Sequence, residues 1–253
     1  MVLCLGSACA AHAGDAAFAD RLALEIRKDF REHYSRGPLT NVAIGFGVTG
    51  VLANSNFDEE VQDVFRDDLQ GRLGDDLTDL FTGVGGVAQP LAAVPVYVGA
   101  MWLGNYGTDS ESAAGRWGNR SFRAMLIGTP QLVALSHISG GQRPEDGEPG
   151  WDPFEDDDGV SGHAFFGAVP ILTAARMAEK RWLRGTLYVV STLPGLARVY
   201  DDKHYMSQAF MGWWLARAAA RTVTRTSRQS PGTARLTAVP YLDGGGLQLT
   251  MQF

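Results

Sequence analysis

Residues 159–170 read "GVSGHAFFGAVP" and follow three consecutive acids, Asp156, Asp157 and Asp158. The apolar run that begins at Ala164 reads as a buried helix, which sets His163 close to its start. Imidazole nitrogens cannot be left unsatisfied in such a place. Their partner is either a backbone carbonyl or a substrate, and the rest of the chain has to decide which.

The chain has 253 residues, 45% of them hydrophobic, with a net charge of −6 and a pI near 5.3. That is enough for one large domain or two small ones. The acidic balance argues against nucleic acid as the main partner. Basic residues do cluster locally, in an acid-free run of arginines from Arg217 to Arg235. The first residues, "MVLCLGSACAAHAG", are apolar and end Ala11-His12-Ala13-Gly14, which resembles the cleavage end of a secretory leader lacking its basic start. Residues 1–14 are therefore read as a leader or a disordered terminus. Both cysteines, Cys4 and Cys9, fall inside them. A mature chain without that segment has no disulfide and no cysteine-ligated metal.

Helical periodicity dominates. Phe18, Leu22, Leu24, Ile26 and Phe30 outline one amphipathic helix, interrupted by Gly37-Pro38; Val61 to Phe81 outline another. Long uncharged stretches follow, notably 123–143, 158–176, 184–198 and 203–217. They are broken by Gly, Pro, Gln, Ser or Asn and read as buried helices of a bundle rather than membrane spans. The tail differs. After the linker-like "SRQSPGT", an Asp243-Gly-Gly-Gly turn precedes alternating Leu247, Leu249, Met251 and Phe253, the pattern of a terminal β-hairpin.

Several motifs do not survive inspection. Gly45-Phe-Gly47-Val-Thr-Gly50 follows the strand-like "NVAI" and matches a dinucleotide fingerprint, but no crossover helix comes next. Close packing of small residues explains it better. "WDPFEDDDG" fails the spacing of a calcium loop and reads as a solvated acidic loop. Ser139 in "HISGG" lacks the strand–turn–helix setting of a nucleophile. His33, among charged neighbours on a helix, reads as solvated.

Three segments belong together chemically: "GQRPEDG" with Arg143-Pro144, "GVSGHAFFG" with Ser161-Gly162-His163, and "LARVYDDKHYMSQ" with Arg198 and His204. In their order and spacing they resemble the type 2 phosphatidic acid phosphatase and vanadium haloperoxidase superfamily. Its pattern is K-x6-R-P, then P-S-G-H, then S-R-x5-H-x3-D, and the resemblance covers about residues 122–215. Guanidinium forks such as those of Arg143 and Arg198 neutralise phosphate oxygens bidentately. Backbone N–H groups at a helix start bind phosphate, Gly162 permits close approach, and Ser161 can add a hydroxyl. The resemblance implies His204 as nucleophile, forming a phosphohistidine, and His163 as general acid, with no metal or other cofactor required.

The sequence departs from the pattern at four places. Ser136 stands for the lysine, Val160 for the proline before Ser-Gly-His, Ala197 for the serine before Arg198, and Gln208 for the aspartate that orients the nucleophile. Gln208 lies one helical turn after His204 and can accept from its imidazole, but supplies no negative charge. Asp201 or Asp202 are candidates for that charge, and Lys203 or His137 for the missing lysine.

The expectation is a mainly α protein: a helical bundle of this superfamily over residues 15–228, followed by a linker and hairpin over 229–253. Its expected activity is phosphomonoester hydrolysis on a phosphorylated small molecule or a lipid phosphate. Peripheral membrane contact and an exported location accompany that reading. The apolar aromatics of "AFFGAVP" and "FMGWWLA" would flank the site. The alternatives are a haloperoxidase holding vanadate in the same anion cradle, and a binding protein that kept the fold without catalysis.

Overall fold

The structure, a computed structural model, describes the backbone of residues 5–69, 90–105, 112–228, 234–241 and 244–251, with side chains over 18–66, 94–102 and 112–228. The helices are α1 (Leu5–His33), α2 (Arg36–Ala53), α3 (Phe57–Asp63, running on as a π-helical turn, Val64–Leu69) and α4 (Pro90–Asn105). They continue with α5 (Ala113–Ser139), α6 (Gly162–Met177), α7 (Arg181–Val190), α8 (Leu193–Tyr200) and α9 (Met206–Arg228). Strands β1 (Ala234–Tyr241) and β2 (Gly244–Met251) pair antiparallel, with Leu236 opposite Leu249. Gly244 to Gly246 lie within β2 rather than in the turn.

Helix α9 is the hub, packing on α6, α5, α2, α1 and α8. Small residues let it do so. A Cβ on Gly212 would stand 2.3 Å from the Ser161 carbonyl oxygen, and one on Gly128 of α5 would stand 2.6 Å from the Phe165 ring. Around these contacts Ile127, Phe165, Leu172, Met211, Leu215 and Val223 form the main core.

A buried polar network fixes α1 to this hub. Arg123 of α5 is 2% exposed, and its Nε donates to Asp29 Oδ2 at 2.6 Å. Its Nη1 donates to Glu25 at 2.8 Å and to Asn119 at 3.0 Å. Thr226 of α9 donates to the second Asp29 oxygen. An arginine fork can satisfy several acceptors at once, so the charge is paired as burial requires.

Four expectations need correction. His33 is 1% exposed rather than solvated; its ring meets Gln131 Oε1 at 3.1 Å and Thr222 Oγ1 at 3.3 Å, because its face of α1 turns towards α5 and α9. "NVAI" is helix, not strand, and the whole glycine fingerprint lies inside α2. Two of its three glycines serve packing as expected: Cβ atoms on Gly45 and Gly50 would strike Trp214 and Trp151, whereas one on Gly47 would meet nothing. Helix α7 buries no residue, although its stretch reads as apolar, and Trp182 and Val189 face outward. Leu24, placed on the apolar face of α1, is exposed. The second half of the 61–81 pattern and the 229–233 linker lie outside the described residues.

Candidate functional site

Two sharp turns bring the three motif segments together. Helix α5 stops at Gly140, whose left-handed backbone (φ 59°) lets its N–H return to the Ser136 carbonyl. A side chain there would also collide with the Asp152 carbonyl, so glycine is required on both counts. The chain then carries Arg143 through a loop to Ser161, which caps α6 by accepting from Ala164 N–H at 3.3 Å. The second turn follows α8. Asp202 takes φ 55°, and the N–H groups of Lys203 and His204 both donate to the Arg198 carbonyl, at 2.9 and 3.2 Å. The chain thus folds back over the last turn of α8, and His204 arrives beside Arg198.

The hydrogen bonds of Gln208 determine which His204 nitrogen is reactive. The Gln208 amide nitrogen lies 2.7 Å from the Gln142 carbonyl oxygen, which can only accept. Its oxygen lies 3.1 Å from the Tyr205 backbone N–H, which can only donate. These two contacts fix the orientation of the amide. The same oxygen stands 2.9 Å from His204 Nδ1, so Nδ1 must carry the proton and Nε2 keeps a lone pair. Gln208 is also the third residue of α9 reaching back to the residue before the helix, half of a capping box. Its backbone carbonyl accepts from Ser161 N–H at 3.1 Å, tying the two histidine-bearing segments together.

The cationic groups form one electrostatic cluster. His204 is 5% exposed, and burial, together with Arg198, Arg143 and His163, pulls its pKa down to about 4. His163, half-buried in the first turn of α6, is lowered by burial, then by Arg198 and Arg143. Arg143 donates to Asp158 at 2.9 Å, and Arg198 stands 3.5 Å from Asp201. The Nε of each arginine is buried without a hydrogen-bond partner. A tetrahedral oxyanion between them would supply acceptors for those donors. At Gly162 a Cβ would meet only the Phe166 ring edge at 4.0 Å, so the helix start is open to such a group.

The four departures from the pattern take defined roles. The Ser136 hydroxyl donates to the Asp157 carbonyl and accepts from Val160 N–H at 3.2 Å, holding the loop that leads to Ser161. Val160 and Ala197 are buried, Val160 within the main core. Neither loop aspartate hydrogen-bonds the imidazole: Asp201 pairs with Arg198, and Asp202 with Arg66 and Gln62. Of the two lysine substitutes, His137 is exposed and bonds within its own helix to Val133 O. Lys203 pairs with Glu145, whose carboxyl is lowered by Lys203, Arg143 and Arg198. Ser139 gives its hydroxyl to the carbonyls of Leu135 and Ser136, so it has no nucleophile setting. Asp156, Asp157 and Asp158 form a carboxylate group within 4.8 Å, of which Asp158 is engaged by Arg143.

Residues 122–231 match the model of the PAP2 superfamily. The resemblance expected from the three segments is borne out, and the match runs beyond His204 to the end of α9. The PAP2-type phosphatidylglycerolphosphate phosphatase of Bacillus subtilis, described as a transmembrane protein, has a similar crystal structure. It aligns with a TM-score of 0.52 and 14% identity, over 76% of this chain and 96% of that one. At that identity the likeness establishes the fold: a mainly α bundle of PAP2 type. No curated protein sequence matches the chain significantly. The PAP2 match supports a phosphatase-like function. Among the described residues, no helix is long and apolar enough to cross a membrane.

Gln142, Asp158 and Glu145 also belong to the site, and sequence reasoning missed them. The first acts through its backbone carbonyl, which no side-chain pattern reveals. Asp158 meets Arg143 only once the 140–161 loop has closed, and Glu145, two residues after Arg143, meets Lys203 only in the folded chain.

Proposed function

We propose that this PAP2 domain is a metal-independent phosphomonoester hydrolase working through a phosphohistidine on His204. The observation that carries the proposal is the clamped Gln208 amide, which leaves Nε2 of His204 unprotonated on a ring that feels the charges of Arg198 and Arg143, two arginines with unpartnered Nε groups. In the first step Nε2 bonds phosphorus while the ester O–P bond breaks, and His163 gives its proton to the departing alkoxide. In the second, His163 takes a proton from water, the oxygen bonds phosphorus, and the N–P bond breaks to release phosphate. Arg143 and Arg198 hold the equatorial oxygens throughout.

The electrostatics favour acid conditions. His204 stays neutral down to about pH 4, whereas His163 is protonated only below its ordinary 6.5. The pH profile of kcat/KM is therefore expected to be a bell on the acid side of neutrality. The flanking aromatics do not speak for lipid: Phe165 is core, and Trp214 packs on Gly45. Peripheral bilayer contact, as part of this proposal, rests on the exposed uncharged row Ile44, Val48 and Val51 of α2. An exported location rests on the leader-like first residues.

The test is hydrolysis of p-nitrophenyl phosphate and a dispersed phosphatidic acid at pH 5, with and without vanadate. It is paired with trapping of an acid-labile phosphoenzyme in wild type and His204→Ala. Vanadate inhibition and a phosphoenzyme lost in the variant are expected. Undiminished hydrolysis by His204→Ala would end the proposal.

A further inference from the structure

Helix α3 lies outside the PAP2 match, yet its side chains reach the segment that carries His204. Asp58, Gln62 and Arg66 recur at four-residue spacing on one face. Asp58 is 1% exposed; one carboxylate oxygen accepts from Ser207 backbone N–H at 2.8 Å and the other from the Ser207 hydroxyl. Gln62 donates to Asp202 and to the Val199 carbonyl, and Arg66 donates to Asp202 at 3.1 Å. Three successive side chains thus hold both ends of the 199–207 turn.

The chemistry of the helix start explains the need. Helix α9 begins at Met206, so Tyr205 occupies the capping position, where Ser, Thr, Asn or Asp would normally satisfy the next free N–H groups. Tyrosine cannot do this, and its hydroxyl instead bonds the Gly147 carbonyl at 2.9 Å. Asp58 provides the missing cap from another helix, and its negative charge meets the positive end of the α9 dipole. The Gln208 amide that fixes the His204 proton stands on this same first turn. Burial pushes the Asp58 carboxyl upward, and the two Ser207 bonds oppose that shift.

We propose that the α3 face Asp58–Gln62–Arg66 is a positioning clamp: Asp58 caps α9 in trans, thereby holding Gln208 and His204 in the single arrangement with the proton on Nδ1. The clamp rests on the proposed nucleophilic role of His204 only for its kinetic effect, since the proton's location can be read without turnover. A misplacement of about an ångström costs up to about a hundredfold in rate. Asp58→Ala is therefore expected to lower kcat by at least about tenfold, with KM within about twofold. Asp58→Asn keeps an acceptor for the Ser207 N–H and a donor for its hydroxyl, and should retain most of the rate.

The deciding measurement is the pair of His204 ring nitrogen shifts by long-range ¹⁵N NMR, recorded well below each variant's melting temperature. Wild type and Asp58→Asn should show one tautomer, protonated at Nδ1, and Asp58→Ala a mixture. A folded Asp58→Ala that keeps both the single tautomer and the rate overturns the clamp. So does an Asp58→Asn that loses both as fully as the alanine variant. If Asp58→Ala does not fold, Gln62→Ala leaves the cap intact and frees the other end of the turn. It should show a partial mixture, and an unchanged tautomer and rate there also overturn the proposal. If no phosphomonoester is hydrolysed at all, the shifts still decide the clamp, and only the catalytic reading falls.

Discussion

Gln208 stands where the PAP2 pattern has an aspartate, and its two ends face opposite demands: a donor N–H and an imidazole N–H on one side, a carbonyl on the other. Gln208→Glu keeps the first pair but sets a carboxylate oxygen against the Gln142 carbonyl oxygen, at 2.7 Å in the present geometry. Loss of that bond should destabilise the fold by on the order of 1–3 kcal/mol. The new negative charge favours imidazolium, so the acid limb of kcat/KM should move up from about 4. A pH profile and a urea titration check both parts. Arg198→Lys removes a two-donor fork and should weaken vanadate inhibition by about tenfold or more; an unchanged inhibition constant would remove Arg198 from the anion site. Glu145 competes for the same cations, so Glu145→Gln should strengthen vanadate binding by a few-fold at low salt, with the gain fading as salt rises. His163, His204, Arg143 and Arg198 could be named as candidates from the sequence because the motif spacing carries them. The partners that set their protonation were not, because a backbone carbonyl such as that of Gln142 has no sequence signature.

At the scale of elements, the joint between α6 and α9 carries the site, and it depends on one missing side chain. Gly212→Ala would place a methyl 2.3 Å from the Ser161 carbonyl oxygen, and backbone there cannot swing aside. Separation of the two helices should lower stability by about 1–3 kcal/mol and loosen the Ser161–Gln208 bond, reducing kcat as well. Thermal unfolding and turnover measured on one preparation test this. The helices α1, α5, α6 and α9 were readable from periodicity and uncharged runs. Helix α7 misled because composition cannot distinguish a buried apolar helix from one lying on the surface. The strand-like "NVAI" misled because four apolar or small residues suit either structure, and only the packing of Gly45 and Gly50 against tryptophans selects the helix.

Across the whole molecule, three buried or half-buried imidazoles are shifted in the same direction. His33, His163 and His204 all lie below their ordinary 6.5, His204 at about 4. At these three rings the unfolded chain binds more protons than the folded one between those values, so their contribution to stability is full above 6.5 and falls as pH drops towards 4. Ring titrations in the folded protein, followed by NMR, should all fall below 6.5; a ring that titrates above it would contradict its burial. The long-range arrangement behind this was hidden in the sequence. His33 meets Gln131 and Thr222 only after α1 docks, and nothing local distinguishes it from a solvated histidine.

The Arg123 network sets a limit on how far the chain tolerates trimming within its first helix. A cut after Ala13, where the leader-like segment ends, leaves Glu25 and Asp29 on the retained chain and the arginine paired. A cut between Glu25 and His33 that releases both acids would strand Arg123, 2% exposed, with only Asn119 remaining from its fork. Stranding a buried charge costs about 3–5 kcal/mol, a large part of a domain's total stability. The first helix is thus divided into a part whose loss leaves Arg123 paired and a part the bundle cannot lose. Limited proteolysis should yield stable fragments beginning before Glu25 and none beginning between Phe30 and His33.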